Sequence, residues 1–291
     1  MSTSQWTQVT SDDAQILFPA GYQPSVSVVI PTLNEAMNLP RVLPRIPMWV
    51  DEVLLVDGNS TDGTTDVARR LRDGIRILKQ RGRGKGAALR TGFEAARGDI
   101  VVMLDADDST NPAEIPAFIG ALLGGADFAK GSRFLQGGGT EDMPLYRQLG
   151  NWGFVILVRL MFGGRFSDLC YGYNAFWRRV LPQLNLDAEG FEIETLMNIR
   201  ALRANLNVVE IPSFEARRFH GEGRLRAIPD GWRVLKTIVK ERLKGSAATS
   251  RWAFHGQGRR RSGRSVEGIS FEEAGKGHSF TGVSRPSAGP E

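Results

Sequence analysis

The sequence predicts an α/β fold with a mostly parallel central sheet and helices on both faces. Two observations carry that expectation. Short apolar runs rich in β-branched residues alternate with helical patterns from Ser25 to about Asp127, the order that a parallel sheet with crossover helices requires. Right-handed crossovers then gather the strand C-termini at one edge. At that edge stands Asp105-Ala106-Asp107, directly after the apolar run Ile100-Val101-Val102-Met103-Leu104. Ligands of open α/β sheets bind in the crevice outside the carboxyl ends of the strands.

The elements follow in order. Residues 1–24 are polar, with Pro19 and Pro24 near their end, and read as a flexible N-terminal arm. A strand over Val26–Ile30 leads into Pro31-Thr32-Leu33-Asn34-Glu35, and a helix follows near Asn38–Leu43. A second strand, Glu52–Val56, ends at Asp57-Gly58-Asn59-Ser60-Thr61-Asp62-Gly63-Thr64. Gly58 and Gly63 suit tight turns, and Ser60, Thr61 or Asp62 suits the cap of a helix over Thr64–Leu71. A strand at Ile75–Leu78, a helix at Lys85–Ala96, the strand Ile100–Leu104 and a helix at Ala113–Leu123 complete the first half.

From 128 to 244 the pattern is less regular. It holds a Gly-rich loop at Gln136–Gly139, a long helix near Leu145–Phe162 and a helix near Glu192–Ala204. A short strand at Val208–Ile211 precedes a final helix near Trp232–Leu243. Beyond Gly245 the composition turns to Gly, Ser, Arg and Pro. Seven basic and four acidic residues leave a net +3 there. Too little apolar surface is available to offset the entropy of ordering, so 245–291 reads as a disordered basic tail.

The whole chain has 291 residues, 41% apolar content and a formal charge of +5. That balance fits anionic partners such as nucleotides, phosphates or acidic lipid. The single cysteine, Cys170, rules out an internal disulfide, and no Cys/His spacing suits zinc. No basic start followed by an apolar core marks a signal peptide. No stretch reaches the roughly 18 apolar residues of a spanning helix. The nearest, Trp152–Phe162, leaves two readings open: a packed amphipathic helix, or one that lies on a bilayer surface.

Asp105 and Asp107 carry the chemistry. Like charges one residue apart raise each other's pKa, and a divalent cation removes that conflict. Hard carboxylate oxygens suit Mg²⁺ or Mn²⁺, which commonly bridge protein carboxylates to substrate phosphates. Other nucleotide motifs fail. Gly82-Arg83-Gly84-Lys85-Gly86 lacks the Lys-[Ser/Thr] of a P-loop, and the first strand is followed by Pro-Thr-Leu-Asn-Glu rather than a dinucleotide fingerprint. No nucleic-acid-binding motif is present, and none is expected from an acidic crevice.

These residues carry a resemblance. Val28-Val29-Ile30-Pro31-Thr32-Leu33-Asn34-Glu35, Val56-Asp57-Gly58-Asn59-Ser60-Thr61-Asp62-Gly63-Thr64 and Leu104-Asp105-Ala106-Asp107 resemble, in that order, the signature of family 2 glycosyltransferases. Gly84-Lys85-Gly86-Ala87-Ala88-Leu89, Gly131-Ser132-Arg133-Phe134, Asp168–Phe176 and Arg218–Arg224 extend the likeness over about residues 25–244. Within the family the chain looks most like dolichyl- or polyprenyl-phosphate mannose and glucose synthases.

The resemblance implies a GT-A-like fold, a nucleotide-sugar-binding half at 25–127 and an acceptor half at 128–244. It implies inverting transfer of a hexose from GDP-mannose or UDP-glucose to a polyprenyl phosphate, with Mg²⁺ or Mn²⁺. Pro31, Leu33 and Glu35 would frame the nucleoside and Asp57 would bind the base. Asp105 would contact the nucleotide and join Asp107 at the metal on the diphosphate. Arg133 and Arg147, fourteen residues apart, match two arginines that hold the acceptor's phosphate. Arg218 and Arg224 match a loop that closes over the donor diphosphate.

The chain departs from the subgroup at three places. Gly223-Arg224 stands for Ser-Lys in that loop. Ser109 stands where the subgroup often has a metal-binding glutamine. Asp168-Leu169-Cys170-Tyr171-Gly172-Tyr173-Asn174 replaces Asp-x-Thr-Ser-Gly-Phe-Arg. The acceptor decides the chemistry: a phosphate is already ionised near neutral pH, whereas a hydroxyl of a soluble or cell-envelope acceptor needs a general base. Asp168 is the candidate base in the second case, or else a carboxylate paired with an arginine. Cys170 has no histidine near it in sequence and reads as a packing residue. The expected place is the cytoplasm, with peripheral contact at the inner face of the membrane.

Overall fold

The apolar run that opens the folded region is buried along its length. Val26–Thr32 forms strand β3 with only Pro31 partly exposed, the pattern of a strand covered on both faces. The computed structural model describes residues 23–244 and two short strands before them, β1 (Trp6–Val9) and β2 (Ile16–Pro19). Those two pair antiparallel, Trp6 opposite Pro19, inside the stretch that reads as an arm. The tail 245–291, read from the sequence as disordered and basic, lies outside the described residues.

The first half follows the sequence closely. After β3 come α1 (Leu39–Val42), continued by a 3₁₀ turn at Leu43–Arg45, then β4 (Glu52–Asp57) and α2 (Thr64–Leu71). Next are β5 (Arg76–Lys79), α3 (Lys85–Ala95), β6 (Ile100–Met103) and α4 (Ile115–Leu123). Strands β6, β3, β4 and β5 are parallel neighbours, and their C-termini share one edge.

The second half completes the same sheet. It adds β7 (Phe128–Ser132), β8 (Gly139–Thr140), α5 (Leu145–Phe162), β9 (Asn174–Trp177) and α6 (Leu181–Leu184). It closes with α7 (Ile193–Arg203), β10 (Val208–Pro212), β11 (Phe214–Glu215) and α8 (Ala227–Leu243). The seven-stranded order is β10-β7-β9-β6-β3-β4-β5. Strand β9 alone runs antiparallel, between β6 and β7. A smaller parallel pair joins β8 to β11. The sheet is mixed and mostly parallel, as expected.

Two strands escape the periodicity. Strand β7 ends in Lys130-Gly131-Ser132, polar in type yet fully buried, so hydropathy hides it. Strand β9 is four buried residues, too short for an alternation to show. The pattern expects the last helix to start at Trp232, but α8 begins at Ala227. Pro229 and Gly231 read as breakers, yet proline is tolerated in a first helical turn, where its missing N–H has no partner to lose.

One large core surrounds the sheet. A second, smaller one holds Val158, Phe166, Leu169, Ile199, Val234 and Ile238 between α5, α7 and α8. Arg200 and Arg203 of α7 both reach the buried Glu241 of α8, at 2.9 and 3.0 Å, and tie the last helix down. No helix among the described residues is long and apolar enough to cross a membrane.

Candidate active site

Strands β3, β4 and β6 each deliver polar groups to the common edge. Strand β3 runs into Leu33, Asn34 and Glu35. Asn34 adopts positive φ, and its side chain accepts from the Thr61 N–H at 2.8 Å. Asp57, at the end of β4, accepts from the Asn59 and Ser60 N–H groups at 3.2 Å. Asp62 accepts from the Thr64 N–H at 3.0 Å and from Ala36 N–H at 3.0 Å. Burial alone would raise its pKa, but these bonds hold it below the usual range. Asp62 therefore anchors the turn that leads into α2, but the cap position itself is Gly63, which no side chain caps, so none of Ser60, Thr61 and Asp62 is the helix cap.

Asp105 and Asp107 follow β6, and a cation of the chain faces each. Lys85, the first residue of α3, places Nζ 2.7 Å from Asp105 and 2.8 Å from Glu194 of α7. Burial works against the lysine's charge, but the two carboxylates more than offset it and raise its pKa. Burial, with Asp105 beside it, raises Glu194 against the pull of Lys85. The cluster needs a glycine at 172: a Cβ there would lie 2.7 Å from Lys85 Nζ and 2.8 Å from Asp105 Oδ2.

Arg218 meets Asp107 at 2.7 Å and Glu35 at 3.2 Å. It comes from the loop between β11 and α8, which crosses the crevice. Phe219 of that loop lies under the Arg41 guanidinium, 4.3 Å away. Asn38 Nδ2 donates to the His220 carbonyl at 3.2 Å. Arg224, further along, donates to the Leu33 carbonyl. Burial raises the Glu35 pKa, partly offset by its bonds from Asn38 and Arg218. Pro31, Leu33, Glu35, Asp57, Asp105, Asp107, Arg218 and Arg224 thus converge on one rim.

The donor set fits a hard divalent cation. The Asp105 and Asp107 side chains keep 23% and 16% exposure toward the crevice. Ser109, in the place of the subgroup's glutamine, donates its hydroxyl to Asp107 Oδ1 at 2.6 Å and so orients that carboxylate. No third His, Cys, Asp or Glu completes a cluster among the described residues. An ion here would draw further oxygens from a diphosphate or water, the usual habit of Mg²⁺.

The acceptor candidates divide. Arg133, after β7, is buried. Its Nε and Nη2 meet Asp168 at 2.7 and 3.0 Å, and its Nη1 meets Glu215 at 3.0 Å. Asp168 is fully buried. Burial alone would raise it, but Arg133 and Lys130 hold it ionised. Of the two readings open for Asp168, the paired carboxylate is the one the contacts show. Arg147, in the first turn of α5, makes no ion pair among the described residues. Arg133 and Arg147 both line a cavity of about 250 Å³ between α5 and α8, with Glu194, Phe191, Ile228 and Val234 on its walls. Cys170 lies there too. Burial pushes its thiol up to about 12, so it holds no thiolate.

Sequence reasoning missed Lys85 and Glu194 as site residues. Lys85 was visible within Gly84-Lys85-Gly86, whose first glycine adopts φ +87° with Glu189 O only 2.4 Å from where a Cβ would stand. Glu194 was masked by its neighbours Glu189 and Glu192, which carry the same charge.

The family model for glycosyl transferase family 2 matches residues 27–184. The chain belongs to that family. This glycosyltransferase is 33% identical to a dolichol-phosphate mannosyltransferase of Pyrococcus furiosus over 210 residues, 69% of this chain and 59% of that protein. It is 34% identical to an undecaprenyl-phosphate mannosyltransferase of Micrococcus luteus over 239 residues, 78% of this chain and 96% of that protein. A glucosyl-3-phosphoglycerate synthase from Mycobacterium tuberculosis, solved with Mg²⁺ and uridine diphosphate, superposes with a TM-score of 0.60 at 25% identity. That match covers 75% of this chain and 79% of the other. The glycosyltransferase therefore has the GT-A fold, and its mixed sheet presents the D-x-D pair at the edge described above.

Proposed function

We propose that this glycosyltransferase moves a hexose from GDP-mannose or UDP-glucose to a polyprenyl phosphate, with inversion at the sugar's C1. The observation that carries the reading is the pairing of two differently charged sites. An acidic rim with a D-x-D pair adjoins a largely apolar cavity whose one unpaired charge, among the described residues, is the Arg147 guanidinium. The first suits a metal-bound diphosphate, the second a phosphate on an apolar tail.

In this reading Pro31, Leu33 and Glu35 frame the nucleoside and Asp57 takes the base. Asp105 orients the nucleotide, itself oriented by Lys85. Asp107 holds Mg²⁺ or Mn²⁺, which supplies positive charge to the departing diphosphate. Arg218 exchanges its bond to Asp107 for one to the diphosphate, and Arg224 closes the loop beside it. Arg147 binds the acceptor phosphate directly, as a planar fork suits phosphate oxygens. Arg133, with its fork already occupied, shapes the cavity wall and adds positive potential. A phosphate oxygen forms the bond to C1 while the bond to the nucleoside diphosphate breaks and the electron pair leaves with it. No base is needed, which agrees with a buried, paired Asp168. A hydroxyl acceptor would require a base within reach of the cavity, and Asp168 is closed off from it.

The test uses purified protein with Mg²⁺ or Mn²⁺ and radiolabelled GDP-mannose or UDP-glucose, with and without polyprenyl phosphate. The expected result is metal-dependent label in the organic phase, lost in Asp107→Ala. In Arg147→Ala the acceptor KM should rise about tenfold or more with the donor KM unchanged. Donor hydrolysis with no labelled lipid would overturn the lipid acceptor.

A further inference from the structure

We infer that Asp108, Arg41 and Phe219 form a clasp that holds the 216–224 loop on the crevice, which makes them positioning residues for Arg218. The role of Arg218 at the diphosphate comes from the function proposed above, and the inference rests on it there; the clasp itself stands on contacts which that function does not use.

Two neighbouring carboxylates face different partners. Asp107 meets the loop arginine. Asp108, the next residue, has φ +66°, in the left-handed region that aspartate enters more readily than most side chains but still at a cost. Its carboxylate is buried and accepts from Arg41 Nε at 2.6 Å and Arg45 Nη1 at 2.7 Å. Both arginines belong to α1 and the turn that continues it. Asp108 therefore ties the turn after β6 to the segment after β3.

Arg41 carries that tie to the loop. Its guanidinium lies 4.3 Å from the centre of the Phe219 ring. The ring is 54% exposed, so burial alone does not fix it, and a cation on its face supplies the missing attraction. With Nε bonded to Asp108, the guanidinium is already oriented when the ring meets it, which lowers the entropy lost in that contact. A backbone bond runs alongside, from the Ala216 N–H to the Ser109 carbonyl at 2.9 Å. Arg218 stands between these two fastenings, and its contacts with Asp107 and Glu35 depend on both.

The fastenings are internal to the chain, so they pre-order the loop. Where only a fraction of molecules has the loop in place, the apparent donor affinity falls by that fraction. Loosening the clasp should therefore raise the donor KM and leave the acceptor KM unchanged.

The experiment follows the full chain by hydrogen–deuterium exchange and by sugar transfer from GDP-mannose or UDP-glucose to a short-chain prenyl phosphate. Asp108→Asn and Phe219→Leu should each speed exchange of the 216–224 amides about tenfold and leave α7 unchanged. Asp108→Gly suits the positive φ and lacks the carboxylate, so it should free the loop with no fall in melting temperature. Phe219→Trp offers a cation a better face and should keep the parent's exchange. In Asp108→Asn and Phe219→Leu the donor KM should rise about tenfold at constant kcat. Without nucleotide, both should bind Mn²⁺ at least as tightly as the parent, because a freed Arg218 leaves Asp107. In Phe219→Leu/Arg218→Ala the donor KM should match that of Arg218→Ala alone. Unchanged loop exchange in both single variants would overturn the clasp. So would weaker Mn²⁺ binding, or losses that add in the double variant. Faster loop exchange in a protein whose parent transfers no sugar would support the clasp and overturn the proposed function instead.

Discussion

Arg218 Nη2 lies 2.7 Å from Asp107 Oδ2, so a loop arginine rests on the carboxylate proposed to hold the metal. The loop is thereby linked to the crevice through one charge pair. Arg218→Ala should leave folding intact and lower kcat/KM for the nucleotide sugar by about 10- to 100-fold, the loss of one charge-assisted contact. In the absence of nucleotide it should tighten Mn²⁺ binding, read by the Mn²⁺ electron paramagnetic resonance signal, because the carboxylate loses a competitor.

Gly172 gives a sharper test of the Lys85–Asp105–Glu194 cluster. In Gly172→Ala the new Cβ would press on Lys85 Nζ and Asp105 Oδ2, both ends of side chains that can move. The melting temperature should change little while donor binding, followed by calorimetry, weakens about tenfold or more. An unchanged donor affinity would remove the cluster from the donor site.

Asp168 and Arg133 are a buried pair, and breaking one partner strands the other. Asp168→Asn should cost about 3–5 kcal/mol of stability in urea denaturation. The double variant Arg133→Met/Asp168→Leu should recover much of that loss while acceptor binding stays impaired. A single variant as stable as the parent would show that the pair is not buried in solution.

The fastening of α8 predicts a pH dependence. Burial alone would raise the Glu241 carboxyl, but Arg200 and Lys244 bring it to about 2, from an ordinary value of 4.5. A depressed folded pKa gives stability that is complete above the unfolded value and fades as pH falls through the folded one. Glu241→Gln should therefore destabilise the protein at pH 7. The gap to the parent, measured by denaturant unfolding, should narrow between about pH 4.5 and 2.

The half of the site proposed for the nucleotide was legible in the sequence because its residues sit next to strand ends. Asp57, Asp105 and Asp107 each follow an apolar run, so the topology alone collects them. The half proposed for the acceptor was legible only by resemblance. Arg133 follows β7 and Arg147 stands on α5, and what separates them is a matter of packing: one is locked by Asp168 and Glu215, the other is not. Strand β7 was missed because Lys130 is a charged residue buried inside a sheet, which hydropathy cannot anticipate. The antiparallel direction of β9 depends on the path of the chain after α5, which periodicity does not encode.

In the proposed reaction a phosphate, not a hydroxyl, attacks the sugar. Phosphorus-31 resonance on a short-chain prenyl phosphate incubated with the protein, Mg²⁺ and GDP-mannose or UDP-glucose reads that bond directly. The monoester signal should be replaced by a phosphodiester signal as nucleoside diphosphate appears, and Asp107→Ala should abolish both changes. Release of nucleoside diphosphate with the monoester signal unchanged, for either donor, would contradict the proposed reaction.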